Sequence, residues 1–178
     1  MKNKKLLLIS FIFILIFCSC QNSTTTPIDE FDIELSDGNA IISGYHGSNV
    51  DIIIPSQTKE RQITEIGKDA FMSYDLKSLV ISEGITTIGE RAFYKCAQLE
   101  SVKLPNTLET ILDYAFANCE NLKEIHIPEN VKNLSEHSIG YRKYTNVDPL
   151  KYEITIYGKA GSKAEEYAKK NNFTFILE

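Results

Sequence analysis

The sequence predicts a solenoid. Short parallel strands stack coil upon coil with helical-turn return segments between them, under a β-rich N-terminal cap and a helix–strand C-terminal cap. Three observations predict it. First, Ile63 to Asn130 is one unit written three times: Ile85–Thr107 and Leu108–Asn130 have equal length and share their apolar columns, and Ile63–Gly84 does so with one residue fewer. Second, the apolar columns keep step: Leu76, Leu99 and Leu122 are 23 apart, as are Leu79, Val102 and Ile125, and Ile81, Leu104 and Ile127. Third, Ala70, Ala92 and Ala115, each followed by Phe71, Phe93 or Phe116, step by 22 and then 23, so the missing residue of the first unit lies between Phe71 and Leu76. A period in the low twenties marks coils that cannot bury their apolar face alone.

Each unit has a physical reading. Within L-x-x-V-x-I the last two apolar residues are two apart, so both point inward from a short strand and the residues between face out. Stacked copies pair as a parallel sheet, with the rest of the coil as return path. The Ala-Phe pair falls in that return, so the three Phe are expected to stack inside. Gly67 and Gly89 follow an Ile at its start, where a tight turn is plausible; Leu112 holds that place in the third unit.

The pattern I-G-x-x-A-F-x-x-C-x-x-L-x-x-V-x-I-P resembles the BspA-like leucine-rich repeats of bacterial surface proteins. It differs from the commoner repeat with an asparagine ladder, because that position holds Gly84, Thr107 and Asn130. Pro105 and Pro128 follow the strand instead, with Ser82 in their place in the first unit. The resemblance covers roughly residues 31–178. It implies a leucine-rich-repeat solenoid, surface display, and binding of host or neighbouring-cell proteins.

The N-terminal segment reads as an export signal. Lys2, Lys4 and Lys5 precede an apolar run from Leu6 to Phe17, broken only by Ser10. That run fits a signal peptide and is short for a membrane span. Cys18-Ser19-Cys20 follows and is similar to a bacterial lipobox, with Cys20 bearing the lipid and Phe17 standing where Leu is usual. An ordinary signal peptide and an uncleaved anchor are the alternatives. On the lipoprotein reading 1–19 is removed and 20–30 is a lipidated tether, flexible over Gln21–Pro27. Next come an N-terminal β cap (31–55), the repeats (56–157, three regular and one irregular) and a C-terminal cap (158–178). Acyl chains would then hold the protein to a membrane. Losing three lysines leaves 16 basic against 24 acidic residues, a net charge of −8, which argues against nucleic acid as a partner.

In the N-terminal cap, Phe31–Leu35 alternates as a strand, Asp37-Gly38 signals a hairpin, and Ala40–Tyr45 and Val50–Ile54 read as further strands. After Asn130 the repeat loosens. Val131, Leu134, Ser138 and Ile139 take the repeat positions, Gly140–Leu150 interrupts with about six inserted residues, and Ile154 and Ile156 supply the last strand. Ser162-Lys163-Ala164-Glu165 reads as a capping box opening a helix to about Asn171 that buries Ala164, Tyr167 and Ala168. Phe173, Phe175 and Leu177 then alternate as a closing strand.

No motif for catalysis is present: there is no G-x-S-x-G, H-E-x-x-H or Walker sequence, and no cofactor is expected. His46, His126 and His137 lack metal-ligand spacing. Cys96 and Cys119 share a column, where stacking brings their Cα atoms to about 5 Å, low in the disulfide range. They are either bridged or, as the resemblance implies, small core residues with free thiols. The candidate binding surface is the outward side of the strands: Lys77, Ser78 and Val80; Glu100, Ser101 and Lys103; Lys123, Glu124 and His126. The insertion adds Tyr141, Arg142, Lys143 and Tyr144, residue types favoured as interface anchors. A protein-binding module is therefore the first functional reading. A structural envelope lipoprotein contacting its own cell's proteins is the alternative, and an enzyme comes last.

Overall fold

The computed structural model describes residues 25–142 and 150–178, so the signal segment, Cys20, Lys143 and Tyr144 lie outside the described residues. The chain winds as a solenoid with three walls. A hairpin opens it: β1 (Phe31–Ser36) runs antiparallel to β2 (Asn39–Tyr45). Asp37 and Gly38 at its turn have φ of 50° and 87°, the double left-handed geometry of the tight turn that matches strand twist. β3 (Asp51–Ile54) follows, then β4 (Ile63–Ile66), β5 (Ser78–Ile81), β6 (Thr87–Ile88), β7 (Ser101–Lys103), β8 (Thr110–Ile111), β9 (Glu124–His126) and β10 (Asn133–Leu134).

These strands, β9 apart, form two sheets. Sheet A has the order β1-β2-β4-β6-β8-β10 and is parallel after the hairpin. Sheet B stacks the expected strands, β3-β5-β7, with Leu79 opposite Val102. Sheet A is the wall that the apolar L-x-x-V-x-I pattern does not reveal. Its strands in the repeats beyond the first, β6, β8 and β10, are two residues long, too short to show a period.

The return segments make the third wall. Each is a run of turns rather than a helix, and its amides alternate. In the first coil Ala70, Met72 and Tyr74 donate to carbonyls three residues back, Gly67, Asp69 and Phe71. Asp69, Phe71 and Ser73 donate instead to Glu90, Ala92 and Tyr94 of the next coil. The second coil repeats this with Arg91, Phe93 and Lys95 reaching Asp113, Ala115 and Ala117. The alternation comes from left-handed residues at fixed places: Asp69 and Ser73, Arg91 and Lys95, Tyr114 and Asn118, all with φ of 56–64°. Gly67 and Gly89 are not among the positive-φ residues, so the turn does not call for them. Gly89 is required by close approach: a Cβ there would lie 2.8 Å from the Gly67 carbonyl carbon.

The core runs through all three walls. Phe71, Phe93 and Phe116 stack at 5.0 and 5.1 Å between centroids, with interplanar angles of 17° and 9°. Leu79, Val102, Ile125, Ile81, Leu104 and Ile127 are all buried around them. Cys96 and Cys119 are buried free thiols, each directed at a phenylalanine carbonyl of the preceding coil, Phe71 at 3.1 Å and Phe93 at 3.3 Å. Burial pushes the Cys96 thiol up to about 12 and Cys119 well above its ordinary value. Neither thiolate is available at neutral pH. Alkylation under native conditions should therefore leave both unmodified, and both should label once the chain is unfolded without reductant, as read by peptide mass spectrometry.

Sheet B has a seam. β9 lies beside β7 but pairs with β13 (Thr155–Gly158), not with β7. Ser82 donates to Ile54 at 3.2 Å as the last rung between the first two strands; Pro105 and Pro128 stand at the equivalent positions and have no N–H to give. Val102 and Leu104, at the seam, are the most accessible members of their columns at 9% and 8%.

The irregular end corrects the expectation in three places. The insertion is bounded by a two-stranded ribbon, β11 (Tyr141–Arg142) antiparallel to β12 (Leu150–Lys151). β13 sets Ile156, not Ile154, opposite Ile125, and Gly158 at the end of the strand. With Ile139 bridged to Phe116, the last coil is eight residues longer than its predecessors, not six. A Cβ on Gly158 would sit 2.6 Å from that of Ala164, so α1 (Lys163–Asn171) fills the space an Ile would take. The helix buries Ala164, Tyr167, Ala168 and Asn171. Its expected capping box does not form: the Ser162 hydroxyl donates to the Lys159 carbonyl instead of accepting from the helix, and Glu165 reaches one residue beyond the N-cap to accept the Gly161 N–H. β14 (Thr174–Leu177) closes the fold parallel to β13, but Leu177 remains 61% exposed. At the other end, Thr26 exchanges hydrogen bonds with Ile53 on the edge of β3 (3.1 and 2.9 Å) and is buried. Thr26 thus belongs to the folded domain rather than to a flexible tether.

Coils are also tied at their corners. The Glu83 carboxylate accepts the Asn106 N–H at 3.0 Å and the Thr107 N–H at 3.2 Å, and the bond from Asn106 leads in lowering its pKa. A carboxyl depressed in the folded state adds stability above its unfolded value, and loses it as pH falls through the folded one. Glu83→Gln should therefore be less stable than the parent at neutral pH, with the difference closing through the acid range in urea titrations.

Candidate functional site

The outward side of sheet B carries every strand residue expected on the binding surface. Lys77, Glu100, Ser101, Lys103, Lys123, Glu124 and His126 are exposed; Ser78 and Val80 are half-buried. Strand pairing sorts the strand residues into rows. One row runs Asp51, Ser78, Ser101 and, beyond the seam, Glu124 and Thr155. Within it the Ser78 hydroxyl donates to Asp51 at 2.6 Å. The next runs Ile53, Val80, Lys103 and, across the seam, His126, Tyr157 and Ile176.

His126 is more than a solvated surface histidine. Its ring stacks on Tyr157 at 4.4 Å and 8°, and its Nδ1 contacts the Glu178 carboxylate. Tyr157 is a site residue the sequence reading missed. Placing Ile154 in the core column displaced the register of β13 by two, so the tyrosine that continues the His126 row was not recognised as part of it.

The insertion reaches the same surface through Glu120. Arg142 Nε donates to the Tyr152 hydroxyl at 2.9 Å, and that hydroxyl donates to Glu120 Oε1 at 2.9 Å. The guanidinium also approaches Glu120 at 3.6 Å. Lys123 donates to the Glu120 carbonyl at 2.7 Å. Strand face and insertion thus meet around one residue. Between them lies an open groove of about 840 Å³, lined by Lys123, Lys151, Tyr152, Glu153, Thr155 and Phe173 among others. Lys151 is held there by the Asn171 carbonyl at 2.9 Å, with its ammonium 5.4 Å from the Tyr141 ring.

Tyr141 departs from its expected role. It is 2% exposed, packs edge-on against His137 at 4.8 Å, and bonds to Asn171 through its hydroxyl. Burial raises its pKa. It supports the ribbon from below, and Arg142 and Tyr152 are what the ribbon presents. Among the described residues no group of three or more His, Cys, Asp and Glu side chains could hold a metal ion. The arrangement offers paired charges, hydroxyls and two stacked ring edges along a sheet, which suits recognition of another polypeptide.

Comparison with known proteins agrees with this geometry. A leucine-rich repeat protein from Bacteroides capillosus ATCC 29799 is 31% identical, over 61% of this chain and 85% of its own, with a TM-score of 0.57. The leucine-rich repeat protein of T. pallidum is 21% identical over 75% of this chain and 71% of its own, TM-score 0.57. A leucine-rich cell surface protein from Faecalibacterium prausnitzii is 22% identical over 78% of this chain and 46% of its own, TM-score 0.54. The last two likenesses carry the fold alone. No curated protein matches the chain. The family model described as the BspA type leucine-rich repeat region matches residues 32–160 in six copies. With its strands, return turns and phenylalanine spine in that order, the chain belongs to the BspA-type leucine-rich repeat family.

Proposed function

We propose that this chain is an exported lipoprotein, held through Cys20 on a bacterial membrane at the cell surface, whose solenoid binds a protein of a host or a neighbouring cell. The observation that carries the binding reading is the convergence at Glu120. There the strand face, with Lys123 and the His126–Tyr157 stack, adjoins the Arg142–Tyr152 pair of the insertion. Solenoids commonly bind through such extended faces, and the fold here is a binding scaffold without a catalytic motif. The anchoring reading rests on the lysine-led apolar segment and Cys20. Among the described residues no helix is long and apolar enough to cross a membrane.

Three measurements test this. Cys20→Ala should release the protein from the membrane fraction, and protease added to intact cells should remove the solenoid; protection would favour the structural envelope reading instead. For binding, cells displaying the chain are applied to surfaces coated with host matrix or cell-surface proteins. Lys103→Glu combined with Arg142→Glu should lower retention by at least about tenfold if these exposed charges meet the partner. Unchanged retention would remove this face from the mechanism.

A further inference from the structure

We infer that the open edge of β14 pairs with the same strand of a second copy of this chain, around a two-fold axis at Ile176. The Glu178 N–H donates to Gly158 at 3.0 Å, which fixes the alternation along the strand. Thr174, Ile176 and Glu178 turn their amides towards β13, whereas Phe175 and Leu177 turn theirs to the open side. Among the described residues nothing pairs with that side. An unpaired edge is a template for another strand, usually blocked by lysine, proline or a bulge; β14 has none of these.

The occupant follows from self-complementarity. Antiparallel pairing about Ile176 sets Phe175 opposite Leu177 of the other copy, and each such pair exchanges two hydrogen bonds. All four main-chain groups on the open side are then satisfied. The side chains match as well. Ile176 and Leu177 are 42% and 61% exposed, two of the large apolar residues the fold leaves in water. Across the axis Ile176 meets its own copy on the outward face, and Leu177 meets Phe175 on the α1 side. Glu178 falls opposite Thr174, so no like charges are brought together. The two sheet B faces become one continuous surface, with the His126–Tyr157 row repeated on both sides. A strand pair of this length is smaller than a standard stable interface, so the dimer is transient and concentration-dependent. The inference does not depend on the lipid anchor or on the ligand.

Cysteine cross-linking tests it in the purified full chain carrying Cys18→Ser and Cys20→Ser, so that no thiol outside the folded domain can bridge. Opposed residues at a non-hydrogen-bonded antiparallel position lie about 4.5 Å apart, within disulfide range. Ile176→Cys should cross-link to a dimer under mild oxidation about tenfold faster than Leu177→Cys, whose opposite residue is Phe175. Without either substitution this chain should give no dimer, because its remaining cysteines, Cys96 and Cys119, are buried. Equal rates, or no dimer with either variant, would overturn the proposal. As a second measurement, sedimentation in detergent should show the parent chain gaining mass with concentration and Ile176→Lys remaining single. A parent chain that stays monomeric throughout would mean that another protein's strand, or none, takes the edge.

Discussion

Phe93→Ala is expected to destabilise the solenoid by about 3–5 kcal/mol, a large part of the ordinary 5–15 kcal/mol of a folded domain. The ring sits in the middle of the stack, with a phenylalanine 5.0 Å away on one side and 5.1 Å on the other. Truncation removes its buried area, both ring contacts and the filler of a space whose walls are hydrogen-bonded main chain. That last point keeps the void from collapsing: Phe93 donates to Ala115 and Phe71 to Ala92, so the coils cannot close up without breaking rungs. Phe71 is better buttressed, since Phe31, Tyr45 and Tyr74 lie within 6.3 Å of it. Urea unfolding of Phe93→Ala and Phe93→Leu decides the matter. Leucine should recover part of the loss. A change below about 1 kcal/mol for alanine would mean that the spine is not a continuous support.

Tyr167→Phe should have the next largest effect, although it removes a single oxygen. In the regular coils the amide at the phenylalanine position donates to the coil that follows. Ile139 occupies that position in the last coil and has no following coil. The Tyr167 hydroxyl replaces it, accepting the Ile139 N–H at 3.0 Å and donating to the Ile139 carbonyl at 2.7 Å. Burial raises the pKa of this hydroxyl, so it stays protonated and keeps both roles. Phenylalanine fills the same space and leaves a donor and an acceptor buried without partners, at about 1–3 kcal/mol each. Hydrogen exchange should show Ile139 and the flanking coil losing protection before sheet A does. Unaltered exchange at Ile139 would show that the hydroxyl is not the terminus of the turn ladder.

Much of this was legible in the repeat itself. The phenylalanine spine, the inward columns of sheet B, the Asp37-Gly38 turn and the closing helix follow from period, alternation and turn chemistry, because each is a local pattern with one physical reading. The missed features are those in which a partner decides. Sheet A escaped notice because Thr87-Ile88 or Thr110-Ile111 alone carries no period; the recurring I-T-T-I and L-E-T-I were the available signal. The register of β13 was misplaced because Ile154 and Ile156 are equally apolar, and only Gly158, left small for Ala164 of α1, shows which of them faces the core column. Tyr141 looked like a surface anchor because an inserted loop is expected outside. Its hydroxyl partner, Asn171, is 30 residues away. The site shared by strand face and insertion depends on Glu120, an acidic residue that nothing in its own neighbourhood marks out.

The left-handed residues of the return wall bear on how such a chain is assembled. Each non-glycine residue held there costs roughly 1–2 kcal/mol, and six are fixed across the three regular coils. A coil by itself gains nothing for that strain, because the amides it rotates outwards find acceptors only on its successor. One winding excised from this chain should therefore stay unstructured whatever its apolar content. A stable fragment needs several consecutive coils closed at the far end, and a duplicated coil inserted in frame brings with it the acceptors that its predecessor requires.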